Sequence, residues 1–167
     1  MLISDDRIKS ILLNVKLIDP KLLEDTVEYA KNSNIGLGDA LIEKDIVTDE
    51  NLGMLVADAL KIPFIVLSKI TIPEEVFRII PERIARKHKA IPFLRDSQGI
   101  RVAMSNPNDT LTLEMITRKT GLRAFSYYAT ERDIYNKLWI YRRDLQKTFD
   151  AIINEQIIVA GKVVLKT

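Results

Sequence analysis

The side chains best suited to binding in this sequence are cations. Arg83, Arg86, Lys87 and Lys89 lie close together, with His88 among them. Such a concentration of charge fits an acidic partner surface, and equally the solvated face of a helix. His88 is the only histidine in a chain without cysteine, and no cluster of carboxylates accompanies it, so neither a metal centre nor acid–base catalysis is expected there. Trp139 with Tyr135 and Tyr141 offers aromatic faces on which a base could stack. Tyr135, Leu138 and Tyr141 recur at helical spacing, however, which predicts packing in a core rather than nucleic-acid binding. Gly36-Leu37-Gly38 is not a phosphate loop, because no glycine-rich segment ending in Gly-Lys-Ser/Thr is encoded. A nucleophile elbow and a zinc-binding His-Glu-x-x-His are equally absent. The expectation is a chain with no catalytic residues, no metal and no cofactor of its own.

Two electrostatically different halves must position these residues. The total of +2 conceals 7 Lys/Arg against 12 Asp/Glu in residues 1–62, and 18 against 11 in residues 63–167. The first part is therefore −5 and the second +7, and only the second favours an anionic partner. An apolar content of 47% in 167 residues suffices for a compact core. No apolar run approaches the roughly 20 residues of a membrane-spanning helix. The start of the chain lacks the pattern of a secretory signal, so a cytoplasmic location is expected.

In the first half, Ile8, Ile11, Leu12 and Val15 fall on one helical face. Asp19-Pro20 is a cap followed by proline at a first helical position, with Leu23, Thr26, Val27 and Ala30 inward. Leu37, Ala40 and Leu41 make a short third helix, and Thr48 caps a fourth through Leu52, Leu55, Val56 and Ala59. Displacing the sequence by 29 residues, from Arg7 to Gly36, lays Ile8, Leu12, Ile18 and Leu23 on Leu37, Leu41, Val47 and Leu52. A helical hairpin has been duplicated, and residues 1–62 are expected to form a four-helix subdomain.

After Pro63 the period changes. Phe64–Leu67 reads as a short buried strand, and a helix opening at Pro73 is interrupted at Pro81 and continues towards His88. Residues 90–94 and 100–104 read as a hairpin across Asp96-Ser97-Gln98-Gly99. A helix over 109–120 stops at Gly121, a strand follows over 122–129, and Thr130-Glu131-Arg132-Asp133 opens a last helix. The fold class is α+β: the duplicated helical hairpin, then a small α/β subdomain over 63–145 with a mainly antiparallel or mixed sheet. Residues 146–167 are expected to form a helical or extended linker. Their apolar stretch Ile157–Leu165 reads as though it continued into something larger.

Several segments together resemble one family. Leu60-Lys61-Ile62-Pro63-Phe64-Ile65-Val66-Leu67, Ile79-Ile80-Pro81-Glu82, Ala85-Arg86, Ile91-Pro92, Val102–Asp109, Thr120-Gly121 and Ala129–Ile134 follow the order of the N-terminal domain of bacterial type II secretion and type IV pilus assembly ATPases. The resemblance extends over about residues 7–145. It implies a non-catalytic regulatory and docking domain that tethers the motor to an inner-membrane platform protein through that protein's cytoplasmic domain, at the inner face of the membrane. ATP and magnesium are then expected only in an ATPase domain following this chain, which would be its other partner. Arg83, Arg86, Lys87 and Lys89 become the candidate docking residues.

The duplicated half also resembles the MshEN arrangement, in which two motif copies led by Arg-Leu-Gly bind cyclic di-GMP in some members. Arginine pairs with phosphate or a guanine edge, glycine permits close backbone approach, and leucines pack on the bases. The ligand positions carried over are Arg7 and Ile8 in the first copy and Leu37 and Gly38 in the second. The first copy has Lys9 in place of its glycine, and the second has Gly36 in place of its arginine. Later glycines are replaced by Lys16 and Asp45, and closing glutamines by Ala30 and Ala59. At most weak cyclic di-GMP binding is therefore expected.

Overall fold

The computed structural model describes residues 2–164, with the side chains of 144–146, 148 and 157–164 excepted. The helical half consists of α1 (Asp5–Val15), α2 (Pro20–Ser33), α3 (Leu37–Glu43) and α4 (Asp49–Leu60). Three of the four starts are fixed by side chains that accept the first free backbone N–H groups. Ser4 accepts from Arg7 N–H, Asp19 from Lys21 and Leu22, and Thr48 from Asn51. Gly36 opens α3 without a side-chain cap. Ile8, Leu12, Leu23, Leu37, Leu41 and Leu52 are buried together between the two hairpins, each contributing about 1.5–3 kcal/mol relative to exposure.

The duplication is visible in the backbone. Lys16 and Asp45, equivalent in the two copies, adopt left-handed conformations with φ of 51° and 55°. The chain therefore keeps the turn that glycine would favour while using residues with a Cβ, at a cost of about 1–2 kcal/mol each.

The second half contains α5 (Glu74–Phe77), α6 (Glu82–His88), β1 (Ala90–Asp96), β2 (Gly99–Met104), α7 (Thr110–Thr120), β3 (Ala124–Tyr128), α8 (Glu131–Lys137) and α9 (Ile140–Val164). The sheet order is β1-β2-β3, with β1 antiparallel and β3 parallel to β2. This is the mixed alternative among the expected sheets, because α7 carries the chain back over the sheet before β3 begins. Ile91, Ile100, Val102, Met104, Ile116 and Ile134 fill the core. Phe77 meets Tyr141 edge-on, and the Tyr141 hydroxyl donates to the Phe77 carbonyl at 2.8 Å.

Three local expectations are corrected. Phe64–Leu67 forms no strand: a single bridge joins Phe64 to Tyr128, and Leu67–Lys69 turns into a 3-10 helix. Residues 63–65 bond to Tyr128 at the very end of β3, and the pairing goes no further because the N–H groups of Leu67 and Ser68 are taken by the Asp133 carboxylate. The last helix is two helices, since the Leu138 N–H bonds to both Ile134 and Tyr135 carbonyls and tightens the turn between α8 and α9. Leu138 and Tyr141 are buried as the spacing predicted, but Tyr135 is 70% exposed and Trp139 48% exposed. The apolar side chains of 157–164, and Leu165 beyond them, lie outside the described residues.

Candidate functional site

The two halves meet where α4 approaches the end of β3. Gly53 on α4 lies so close that a Cβ there would stand 2.5 Å from Thr130 Cγ2 and 2.9 Å from the Phe64 ring. Val56, Ala57 and Tyr128 form the small apolar core of this joint, with Leu2, Ile3, Ile62 and Phe64 packed around it. Charge closes its rim. The Thr130 hydroxyl donates to Asp49, Arg132 reaches Asp39 at 3.1 Å, and Lys69 pairs with Glu50 at 2.6 Å.

Beside the joint opens a cleft of about 880 Å³. Its α/β wall is built by the residues that follow β2 and β3: Ser105, Asn106 and Asn108 from one, Thr130, Glu131 and Arg132 from the other. In open sheets the carboxyl ends of parallel strands are where crevices form, because the chain departs to opposite sides. The segments that carry the family resemblance, Val102–Asp109 and Ala129–Ile134, thus converge on one place. The opposite wall is Asp39, Ile42, Asp49, Leu52, Gly53 and Val56. Burial pushes the Tyr128 hydroxyl up to about 12, and the Asp49 and Glu131 charges add to this. The cleft's two cations, Lys89 and Arg132, are both engaged by its carboxylates.

The motif residues expected to bind a ligand lie elsewhere in the helical half. Ile8 and Leu37 share its core, Gly38 is buried in α3, and Arg7 is exposed at the start of α1. The starts of α1 and α3 are neighbours, as the duplication requires. Between them a Cβ on Gly36 would stand 3.7 Å from both an Asp5 and an Asp39 carboxylate oxygen. The place where an anion would need cations is therefore flanked by carboxylates.

Of the four candidate docking cations, two are engaged by carboxylates. Arg86 bonds to Glu82 across one helical turn at 2.7 Å. Lys89 lies past the end of α6 in a left-handed conformation, with φ of 47°, and pairs with Glu131. Arg83 and Lys87 are exposed at i,i+4 spacing and have no ion-pair partner among the described residues. Next to them, His88 Nδ1 lies 3.1 Å from Asp109 and 2.9 Å from the Thr112 hydroxyl. His88 thus joins the end of α6 to the Asp109 cap of α7. Burial opposes ionisation of Asp109, but bonds from Thr112 and His88 outweigh it and hold the carboxyl below its ordinary value.

Sequence reasoning missed the joint and the cleft. Gly53 carried the available signal: a glycine inside a helix costs about 1 kcal/mol relative to alanine unless something needs the space.

The MshEN domain family matches residues 60–139, from the end of α4 to the turn after α8. The type IV pilus assembly ATPase PilB of Thermus thermophilus is 30% identical over 131 residues, which is 77% of this chain and 15% of that protein. PilB of Myxococcus xanthus is 20% identical over 149 residues, 89% of this chain and 26% of that protein. The chain thus spans about a sixth to a quarter of these relatives. Among solved structures, MshE with cdg (cyclic di-GMP) matches with a TM-score of 0.60 at 24% identity, covering 80% of this chain and 97% of that one. The N-terminal domain of XpsE matches with a TM-score of 0.51 at 18% identity, covering 83% and 96%. At these identities the two structures establish a shared fold.

Proposed function

Since residues 60–139 are an MshEN domain, in a chain homologous to the N-terminal region of type IV pilus assembly ATPases, we propose that the chain is a non-catalytic regulatory and docking module. It tethers the motor of a pilus or type II secretion system to an inner-membrane platform protein. ATP and magnesium then belong to the ATPase domain of the full-length protein. The observation that carries the docking role is the exposed pair Arg83 and Lys87 on α6, without an ion-pair partner among the described residues, in the half of the chain with charge +7.

The partner fitting that pair is an acidic cytoplasmic domain, and exposed charge of this kind acts mainly on the rate of encounter. Arg83→Glu/Lys87→Glu should slow association with the platform protein's cytoplasmic domain roughly tenfold at low salt and flatten its salt dependence. Stability should change by no more than about 0.5 kcal/mol. Unchanged association kinetics in a surface-binding measurement, with substitutions in the helical half abolishing recruitment instead, would move the docking surface to residues 1–62.

The fold shared with MshE in complex with cdg raises cyclic di-GMP as a second ligand. Asp5 and Asp39 beside Gly36 oppose it. Calorimetry at physiological salt should show affinity weaker than about micromolar. Lys9→Gly/Gly36→Arg alone should not restore binding, because the introduced guanidinium would pair with those two carboxylates. Adding Asp5→Asn and Asp39→Asn should strengthen it. Micromolar binding by the unaltered chain would refute this reading of the motif.

A further inference from the structure

At the end of the sheet opposite the cleft, the loops gather a second set of cations. Pairing of Asp96 with Gly99 and of Ile100 with Ala124 brings the β1–β2 turn beside the start of β3, and the Ile100 N–H bonds to the Arg123 carbonyl at 2.9 Å. The end of α7 reaches the same place, because only residues 121–123 separate it from β3. Arg95, Arg101, Arg118, Lys119 and Arg123 therefore share one pole with Asp96, which Arg101 engages. Arg95, Arg118 and Lys119 are exposed without an ion-pair partner among the described residues. Exposed Arg123 lies over the Phe125 ring, 4.9 Å from its centroid.

Cations in the last turn of α7 complement its dipole, but that does not account for Arg95 or Arg123, which are not on a helix. The outer face of α7 adds apolar surface. Leu111 is 72% exposed and lines, with Met115, Arg118 and Lys119, a shallow depression of about 470 Å³ that also includes Glu114. Exposed Leu111 and half-buried Met115, bordered by Arg118 and Lys119, give this face the apolar and basic groups with which a helix lies in a membrane interface.

We propose that this pole and the outer face of α7 dock on an anionic lipid bilayer surface. Charge complementarity sets both the partner and the orientation. The pole is attracted to acidic headgroups while residues 1–62, at −5, are repelled and face away. A strand of seven residues separates the loops of the pole from Lys89 and the end of α6, about 20 Å, while the first turn of α7 adjoins α6 through the His88–Asp109 contact. The inference is independent of the identity of the platform partner.

Each Lys or Arg close to an anionic leaflet gains on the order of fivefold in partitioning. Sedimentation with vesicles of phosphatidylcholine containing roughly 30% phosphatidylglycerol should carry the chain down at low salt, with binding falling as salt is added. Vesicles of phosphatidylcholine alone should not. Arg118→Glu/Lys119→Glu should lower partitioning at least tenfold and Leu111→Ala severalfold, each with an unchanged circular-dichroism melt. Arg83→Glu/Lys87→Glu should reduce it less than Arg118→Glu/Lys119→Glu does. Arg118→Gln/Lys119→Gln provides a milder replacement if the reversal disturbs the fold, with an intermediate loss expected. The proposal is overturned by no binding to the acidic vesicles, by equal binding to both kinds, by insensitivity to the α7 substitutions, or by binding to soluble polyglutamate but not to vesicles.

Discussion

A methyl group at position 53 has no room. With Thr130 Cγ2 at 2.5 Å and Phe64 at 2.9 Å from where it would stand, either the joint opens or both neighbours shift. Overpacking of this kind typically costs about 1–3 kcal/mol, whereas glycine to alanine in an unobstructed helix gains up to about 1 kcal/mol. Gly53→Ala should therefore destabilise the chain by about 1–2 kcal/mol in urea unfolding. A stabilised variant would show that the two halves do not approach as described. The same logic of a missing side chain does not extend to Lys16 and Asp45, where positive φ is tolerated with a Cβ present.

Among the elements, α8 has a second use for its first turn. Thr130 accepts the Asp133 N–H at 3.2 Å as an N-cap should, but the Asp133 carboxylate does not return to Thr130. It accepts instead from Leu67 and Ser68, more than sixty residues earlier in the chain. One carboxylate thus fixes the connection between the helical half and α5. Asp133→Ala leaves two N–H groups without their partner, at about 1–3 kcal/mol for each that is not rescued by water. Hydrogen exchange should accelerate at residues 64–70 while β1 and β2 remain protected. Uniform acceleration over the whole chain would mean that Asp133 supports the global fold and not this connection.

At the scale of the molecule, an acidic half and a basic half are held by one joint whose small core contains Tyr128. Burial, with the Asp49 and Glu131 charges, raises its hydroxyl to about 12 from an unfolded value near 10. A raised value means that the folded state holds the neutral phenol. The associated stability is complete below about pH 10 and is lost as pH climbs through about 12. Melting temperatures should therefore fall over this window, and Tyr128→Phe should remove part of the fall. Tyr141, also raised chiefly by burial, retains its share in that variant. An identical alkaline profile for Tyr128→Phe would place Tyr128 in water.

The sequence by itself determined the parts with a local cause. Caps at Asp19, Thr48, Asp109 and Thr130, the stop at Gly121, the prolines before α5 and α6, and the 29-residue repeat all act through neighbours a few residues away. The mixed α+β fold follows from their order. Tertiary structure alone decided what depends on partners distant in sequence. Asp133 capture turned Phe64–Leu67 away from a strand, Glu82 and Glu131 divided the α6 cations, and the Asp5–Asp39 proximity set the charge around Gly36. Tyr135 shows the limit of periodicity: helical spacing states that residues share a face, but whether that face meets a core or solvent is fixed by what packs against it.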